Sequence, residues 1–358
     1  MMCSIIPPYL LRQLAALDDP DLAAVSAAAR SSLLVDQPFR AVRSVREGEP
    51  SLRQSLVPGS TTRDRELEPA QRSIFDTHNT ETLPGELARS DAQQASGRDV
   101  AVTEAWDGLG HTHDLFRLEY ARASIDDENL PLEATVHFGK DYDNAFWDGS
   151  RMIFGDGDNT VFTRFTASLS VIGHELTHGV TQYSAALEYE GQSGALNESI
   201  SDVFGALVEQ RANGQSAAEA SWLIGEGIFT DAVEGDAIRS MKAPGTAYDD
   251  DVLGKDPQPD HMSGFVKTKD DNGGVHLNSG MPNRAFYLVA TALGGSAWEH
   301  AGKVWYDTLT NGSLAPTASF ADFARATTDA AASRFGADSP EQAAVAAAWV
   351  TVGVGANP

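Results

Sequence analysis

Two histidines four residues apart enclose a glutamate in the run His174-Glu175-Leu176-Thr177-His178. On a helix, positions i and i+4 share one face a turn apart, so both imidazoles can reach one ion. Glu175 can then point at water on that ion and act as a general base. A second group follows, Gly194-Ala195-Leu196-Asn197-Glu198-Ser199-Ile200-Ser201-Asp202, with Glu198 standing 20 positions after His178. Glu198 is expected to open another helix and return a carboxylate to the same ion. Asp202, one turn further on, could accept the free ring N–H of a ligand histidine and fix its orientation. Two imidazoles and a carboxylate make an N/O site with one position left for water, which suits zinc. The first run alone is also compatible with a surface helix carrying two solvated histidines. The second group is what argues against that alternative.

The elements that must hold these groups fall into three stretches. Residues 1 to about 50 hold an apolar, proline-broken run and an alanine-rich helix capped at Asp19 or Asp21. A polar stretch with three prolines, beginning at Val45, reads as a linker open to proteolysis. From about residue 70 to 170, short β-type runs such as Glu133–Gly139 and Arg151–Asp158 mix with loops and one or two helices. After residue 170 long amphipathic helices follow one another, separated by glycine and Ser-Pro punctuation. The implied organisation is a propeptide and linker over 1–58, a mixed α/β half over 59–190 ending in the His174–His178 helix, and a helical half over 191–358.

Composition narrows the partners. Fifty-one acidic residues against 26 basic give a formal net charge of −25, which repels nucleic acid and anionic membrane surfaces. No stretch approaches the roughly 18 uninterrupted apolar residues of a membrane span. Cys3 is the single cysteine, so no intrachain disulfide can form. The N-terminus has no basic residue before its apolar part, which prolines interrupt, so it reads poorly as a secretory signal.

The motifs His174–His178 and Gly194–Gly205 together resemble the thermolysin family of zinc metallopeptidases, the gluzincins, and the resemblance runs from about residue 75 to 354. Thermolysin itself holds its zinc with two histidines and a glutamate. The resemblance implies an α+β, two-lobed fold and a zinc endopeptidase with one zinc ion on His174, His178 and Glu198. It also implies Glu175 as the base and Asp202 as an orienting partner. In Asp271-Asn272-Gly273-Gly274-Val275-His276 it makes His276 a donor to the oxyanion, with Asp271 orienting and charging its ring. Tyr189 matches a second oxyanion donor. Asn144 and Ala145, before Phe146 and Trp147, match a strand edge that pairs with substrate backbone. Arg239 matches the arginine that binds the substrate carbonyl past the scissile bond. The specificity pocket maps onto Phe162, Phe165, Val171, Ile224 and Ile238, all apolar, which implies cleavage on the amino side of bulky hydrophobic residues.

Two departures from the long-propeptide members stand out. Their double calcium site falls here on Ser170, Glu209, Ser221, Leu223 and Glu226, so three of five acidic ligands are missing and the site is expected to be absent. The start, Cys3-Ser4-Ile5-Ile6-Pro7-Pro8-Tyr9-Leu10, is similar to the short-propeptide, protealysin-like subgroup, in which a Pro-Pro-Leu motif blocks the cleft. Pro7, Pro8 and Tyr9 are accordingly the expected inhibitory residues, since a rigid extended segment binds at little ordering cost. Cys3 adds a second route to latency, a thiolate in zinc's open position. An aminopeptidase would need a Gly-x-Met-Glu-Asn anchor, which the chain lacks, and a scaffold without catalysis would have lost Glu175 or a ligand. The partners implied are polypeptide substrates and the chain's own propeptide, with no nucleic acid and no membrane, for a monomer. Secretion is expected from the resemblance. A cytoplasmic precursor or non-classical export is the alternative left by the missing signal.

Overall fold

The computed structural model describes residues 4–47, 67–93 and 98–355. Two helices come first, α1 (Pro8–Ala15) and α2 (Ala23–Glu47), packed on one another. A five-stranded sheet follows, from β1 (Arg72–Asp76), β2 (Glu86–Ser90), β3 (Leu132–Val136), β4 (Ala145–Trp147) and β5 (Met152–Phe154), in the order β2-β1-β3-β5-β4. β1, β3 and β5 run parallel, while β2 and β4 are antiparallel edges. The crossover between β2 and β3 carries helix α3 (Val100–Asp114), whose buried side packs on β1 and on the next helix. The parallel pairing of β1 with β3 requires a crossover connection, which here runs through β2 and α3.

Helix α4 (Leu169–Gln182) is buried at every residue from Ser170 to Thr181, as expected of a helix enclosed between layers. Its partner is α5 (Gly191–Asn213). The two helices meet through glycine: a Cβ on Gly205 would lie 2.5 Å from the Ser170 carbonyl oxygen, so only glycine permits this approach. The close contact brings residues 197–202 of α5 beside the histidines of α4. The helical lobe is completed by the hairpin β6 (Leu223–Ile224) and β7 (Arg239–Ser240), a second small pair β8 (Asp249–Asp250) and β9 (Gly254–Lys255), α6 (Asp271–Asn278), α7 (Gly280–Leu293), α8 (Ala301–Thr310), α9 (Phe320–Phe335) and α10 (Pro340–Thr351). Ser319 and Asp322 form a reciprocal capping box on α9, and Ser339 with Pro340 starts α10. The α+β, two-lobed architecture expected from the sequence is the one observed.

Three local readings change. Glu198 does not open its helix: α5 begins at Gly191, so Glu198 lies two turns inside it. Gly191-Gln192-Ser193-Gly194 reads locally as a turn, but Gly194 is pressed against Tyr189 and Val275, where no larger residue fits. Asp19 caps a single 3₁₀ turn at Pro20–Leu22, ahead of α2. Finally, α2 runs through Pro38 to Glu47, overlapping the start of the expected linker, whose residues 48–66 lie outside the described residues.

One surface contact ties the sheet to α3. His137, just after β3, places Nδ1 2.8 Å from Asp156 and Nε2 3.0 Å from Asp99. The other oxygen of Asp99 caps α3 by accepting from Val102 N–H at 3.0 Å. The Asp156 carboxylate, joined by Asp99 and opposed by burial, raises the His137 pKa to about 9. A raised histidine stabilises fully below its unfolded pKa of about 6.5, and that stabilisation is lost as pH rises through about 9. Thermal melts of the Glu175→Gln chain with and without His137→Gln should therefore converge between pH 7 and 10. Parallel curves across that range would contradict the paired, charged state.

Candidate metal centre and cleft

Because α4 is regular, His174 and His178 project together, and their Nε2 atoms stand 3.0 Å apart. The opposite ring nitrogens are bonded elsewhere. His174 Nδ1 lies 2.7 Å from Asp202 Oδ1, and His178 Nδ1 lies 2.8 Å from Asn197 Oδ1 and 3.0 Å from Ser201 Oγ. Asp202 and Asn197 present acceptors, so each Nδ1 carries the proton and both Nε2 lone pairs face one another. Two converging lone pairs at that distance repel unless a cation lies between them. Glu198 supplies the third side, with Oε2 3.5 Å from His174 Nε2 and Oε1 3.6 Å from His178 Nε2. All three residues are fully buried, and Glu198 Oε2 has no hydrogen-bond partner. An orphaned buried carboxylate oxygen aimed at two imidazole lone pairs fits zinc. Among the described residues this is the single group of three or more side chains arranged to hold a metal.

The partners around the cluster are equally buried. Asp202 also receives two bonds from Arg239, at 2.9 and 2.8 Å, and one from Asn283 Nδ2 at 2.8 Å. Burial would raise the Asp202 pKa, but the Arg239 guanidinium and His174 hold it well below the usual carboxylate range. Arg239 is thus no surface residue: its remaining NH1 donates to the Ile5 carbonyl at 3.1 Å. The motif-based reading assigns no role to Asn197, Ser201 or Asn283. The i, i+4 repeat that pairs Glu198 with Asp202 also pairs Asn197 with Ser201, a signal that could have found two of them.

Glu175 lies beside the cluster, its Oε2 accepting from Trp147 N–H of β4 at 3.1 Å. On the opposite side, His276 Nδ1 is 2.6 Å from Asp271 Oδ1. Burial alone would lower the His276 pKa, but Asp271 and Glu198 outweigh it and the ring is raised. Tyr189 Oη stands 3.2 Å from His276 Nε2 and also donates to Glu198. The turn at Asp271–Gly274 makes this possible, with four consecutive residues at positive φ before the helix proper.

The N-terminal segment lies against these groups and against β4. Ser4 bridges antiparallel to Phe146, Ile5 N–H donates to the Ala145 carbonyl at 3.2 Å, and Ile6 N–H donates to Asn144 Oδ1 at 3.0 Å. The Ser4 carbonyl is 3.2 Å from His276 Nε2. These contacts come before the expected inhibitory residues. Pro7 precedes α1 and Pro8 opens it, while Tyr9 is half-buried and bonded to Tyr248. Proline at a first helical position is ordinary capping chemistry, so the extended segment gives way to α1 at Pro8. Cys3 lies outside the described residues.

Phe162, Phe165, Val171, Ile224 and Ile238 are all buried in the main core, in one cluster with Ile5, Ile6 and Leu10. The rings of Phe162 and Phe165 lie 5.8 Å apart. At the positions of the calcium site, the Ser170 hydroxyl accepts from Gly225 N–H at 3.1 Å, and Ser221 accepts from Leu223 N–H at 3.4 Å. Burial raises the Glu209 pKa, opposed by its bond to the Ser170 hydroxyl, and Glu226 adds to the rise.

A buried His₂Glu cluster, with a further carboxylate beside it and imidazole and phenol groups opposite, defines a metal-dependent hydrolase. Residues 58–182 match the thermolysin metallopeptidase catalytic domain and residues 185–354 the thermolysin metallopeptidase alpha-helical domain. An extracellular metalloprotease of Pectobacterium carotovorum subsp. carotovorum is 48% identical over 356 residues, covering 99% of this chain and 96% of that one. Protease PrtS of Photorhabdus sp. (strain Az29) is 50% identical over 79% of this chain and 76% of its own length. The solved precursor of protealysin, a metalloproteinase from Serratia proteamaculans, superposes with a TM-score of 0.86 at 48% identity. That match covers 98% of this chain and 99% of the other. The chain belongs to the thermolysin family of metallopeptidases and is a zinc-dependent endopeptidase in precursor form. No helix among the described residues is long and apolar enough to cross a membrane.

Partners of ligand histidines set their basicity, and removing one commonly costs about 10–100-fold in metal affinity. Asp202→Asn keeps the shape but removes the charge facing both His174 and Arg239. Zinc affinity, measured by competition with a chromogenic chelator, should fall within that range. An unchanged affinity would show that Asp202 serves Arg239 alone.

Proposed function

We propose that His174, His178 and Glu198 hold one zinc ion at the floor of a peptide-binding cleft, and that the N-terminal segment occupies that cleft as a substrate would. Zinc, when bound, acidifies water and polarises the scissile carbonyl. Glu175, fixed by Trp147 N–H, takes the proton from the attacking water and later gives it to the leaving amine. His276, kept charged by Asp271, and the Tyr189 hydroxyl donate to the oxyanion as it develops. Asn144, the Ala145 carbonyl and Arg239 bind substrate backbone. No covalent enzyme intermediate forms.

The observation that carries this reading is the register of Ser4–Ile6. The Ser4 carbonyl meets the oxyanion donor His276, Ile5 N–H meets Ala145, the Ile5 carbonyl meets Arg239, and Ile6 N–H meets Asn144. A substrate lying the same way places its scissile bond where Ser4 joins Ile5, and the residue after that bond where Ile5 lies. The side chain of that residue enters the pocket of Phe162, Phe165, Val171, Ile224 and Ile238, which accounts for cleavage before bulky hydrophobic residues.

Residues 1–58 then serve as the propeptide, with 59–190 and 191–358 as the two halves of the catalytic unit. The enzyme works as a secreted monomer on polypeptides, without the double calcium site, since Ser170, Ser221 and Leu223 stand where carboxylates would be needed. Quenched peptides differing only in the residue after the scissile bond test the pocket. Burying a Leu or Phe side chain is worth about 1.5–3 kcal/mol, so kcat/KM for Leu, Ile or Phe should exceed that for Gly or Asp by about 10–150-fold. A preference for charged residues there would overturn the pocket assignment.

A further inference from the structure

Helix α2 carries a fully buried carboxylate, Asp36, which none of the catalytic steps uses. Tyr142 Oη donates to Asp36 Oδ1 at 2.5 Å, and Asn144 Nδ2 donates to Asp36 Oδ2 at 3.2 Å. One turn earlier on the same helix, Ser32 Oγ accepts from Asp143 N–H at 2.9 Å. Val35 packs on the cluster of Phe138, Tyr142, Phe146 and Ile153 that backs the sheet edge. Residues 142–144, which lead into β4, are therefore gripped by α2.

The amide of Asn144 links the two sides. Its Oδ1 accepts from Ile6 N–H and from Ala145 N–H, each at 3.0 Å, while its NH₂ end meets Asp36. A primary amide has one acceptor end and one donor end, so a flipped Asn144 would offer a donor to Ile6 N–H and lose that bond. A carboxylate accepts only, and Asp36 thus selects the orientation that Ile6 needs. We propose that Asp36 is a positioning residue of the N-terminal segment: by holding the NH₂ of Asn144 it couples docking of α2 to occupation of the cleft by Ser4–Ile6. This rests on the reading that Ser4–Ile6 occupy the substrate cleft. The coupling is reciprocal, because loosening either contact removes what orients the shared amide. When α2 leaves, Asn144 loses its rear acceptor and turns to serve substrate alone.

Hydrogen–deuterium exchange on the full-length Glu175→Gln chain, which cannot cut itself, tests the coupling. Pro7 and Pro8 carry no amide hydrogen, so the difference between N-terminal peptides ending at Ser4 and at Pro8 reports Ile5 and Ile6 alone. Adding Asp36→Ala should speed exchange there by about tenfold or more, as expected when hydrogen bonds to a charged group are lost, with α4 protection unchanged. Faster exchange in α2 alone, with Ile5 and Ile6 still protected, would overturn the proposal. Free exchange of Ile5 and Ile6 already in the Glu175→Gln parent would overturn the reading of the cleft instead. If Asp36→Ala fails to fold, as judged by lost α4 protection, Asp36→Asn replaces it. That variant keeps one acceptor, so a smaller acceleration is expected, and protection equal to the parent's would contradict the coupling.

Discussion

Replacing Glu175 by glutamine in the processed enzyme should lower kcat/KM on a peptide substrate by about three to four orders of magnitude, the upper part of the range for a positioned general base. The substitution keeps the size of the side chain, and its amide oxygen can still accept from Trp147 N–H. What it removes is the carboxylate proposed to receive the water's proton. Glu175 is not among the three side chains that converge to hold the ion, so zinc stoichiometry should stay at one and the melting temperature should hold. His174→Ala should differ in kind, losing zinc and activity together. A glutamine variant with a tenth or more of the parent activity would mean that the proton goes elsewhere.

The second large effect concerns the N-terminal segment. Ile5, Ile6, Leu11 and Leu14 are completely buried, and the segment takes up the cleft contacts at Ala145, Asn144, Arg239 and His276. A tethered occupant acts at an effective concentration in the millimolar range. A peptide substrate at micromolar concentration cannot displace it. Limited proteolysis that removes the segment should therefore raise kcat/KM by about a hundredfold or more relative to the intact Glu175-containing chain assayed before any cleavage. Equal rates before and after removal would leave the peptidase assignment standing and sink latency by cleft occupation.

How much of this was legible in the sequence follows from where each signal resides. His174, Glu175 and His178 sit within one helical turn and a bit, and Glu198 with Asp202 within another, so helix periodicity alone placed them on common faces. The α+β order of elements was equally local. Glu198's position within α5 was not, because Gly191–Gly194 has the composition of a turn, and the contact of Gly194 with Tyr189 and Val275 within the helix is tertiary. Asn283, Asp36 and Ile5 reach their partners across 81, 108 and 234 positions of chain, as Asn283 to Asp202, Asp36 to Asn144 and Ile5 to Arg239. No periodicity encodes such pairs. Arg239 illustrates the limit well: its family role pointed to substrate, while it also makes two bonds to Asp202, the partner of His174. For Pro7 and Pro8 the rigidity is plain from residue type, but that a helix begins at Pro8 is not.

The most direct test of the central claim is hydrolysis of a quenched peptide with leucine after the scissile bond by the processed enzyme, followed through chelation and zinc restoration. The account predicts loss of activity as zinc is withdrawn and its return when one equivalent is added, in wild type and not in Glu175→Gln. Activity that survives complete removal of zinc would contradict it.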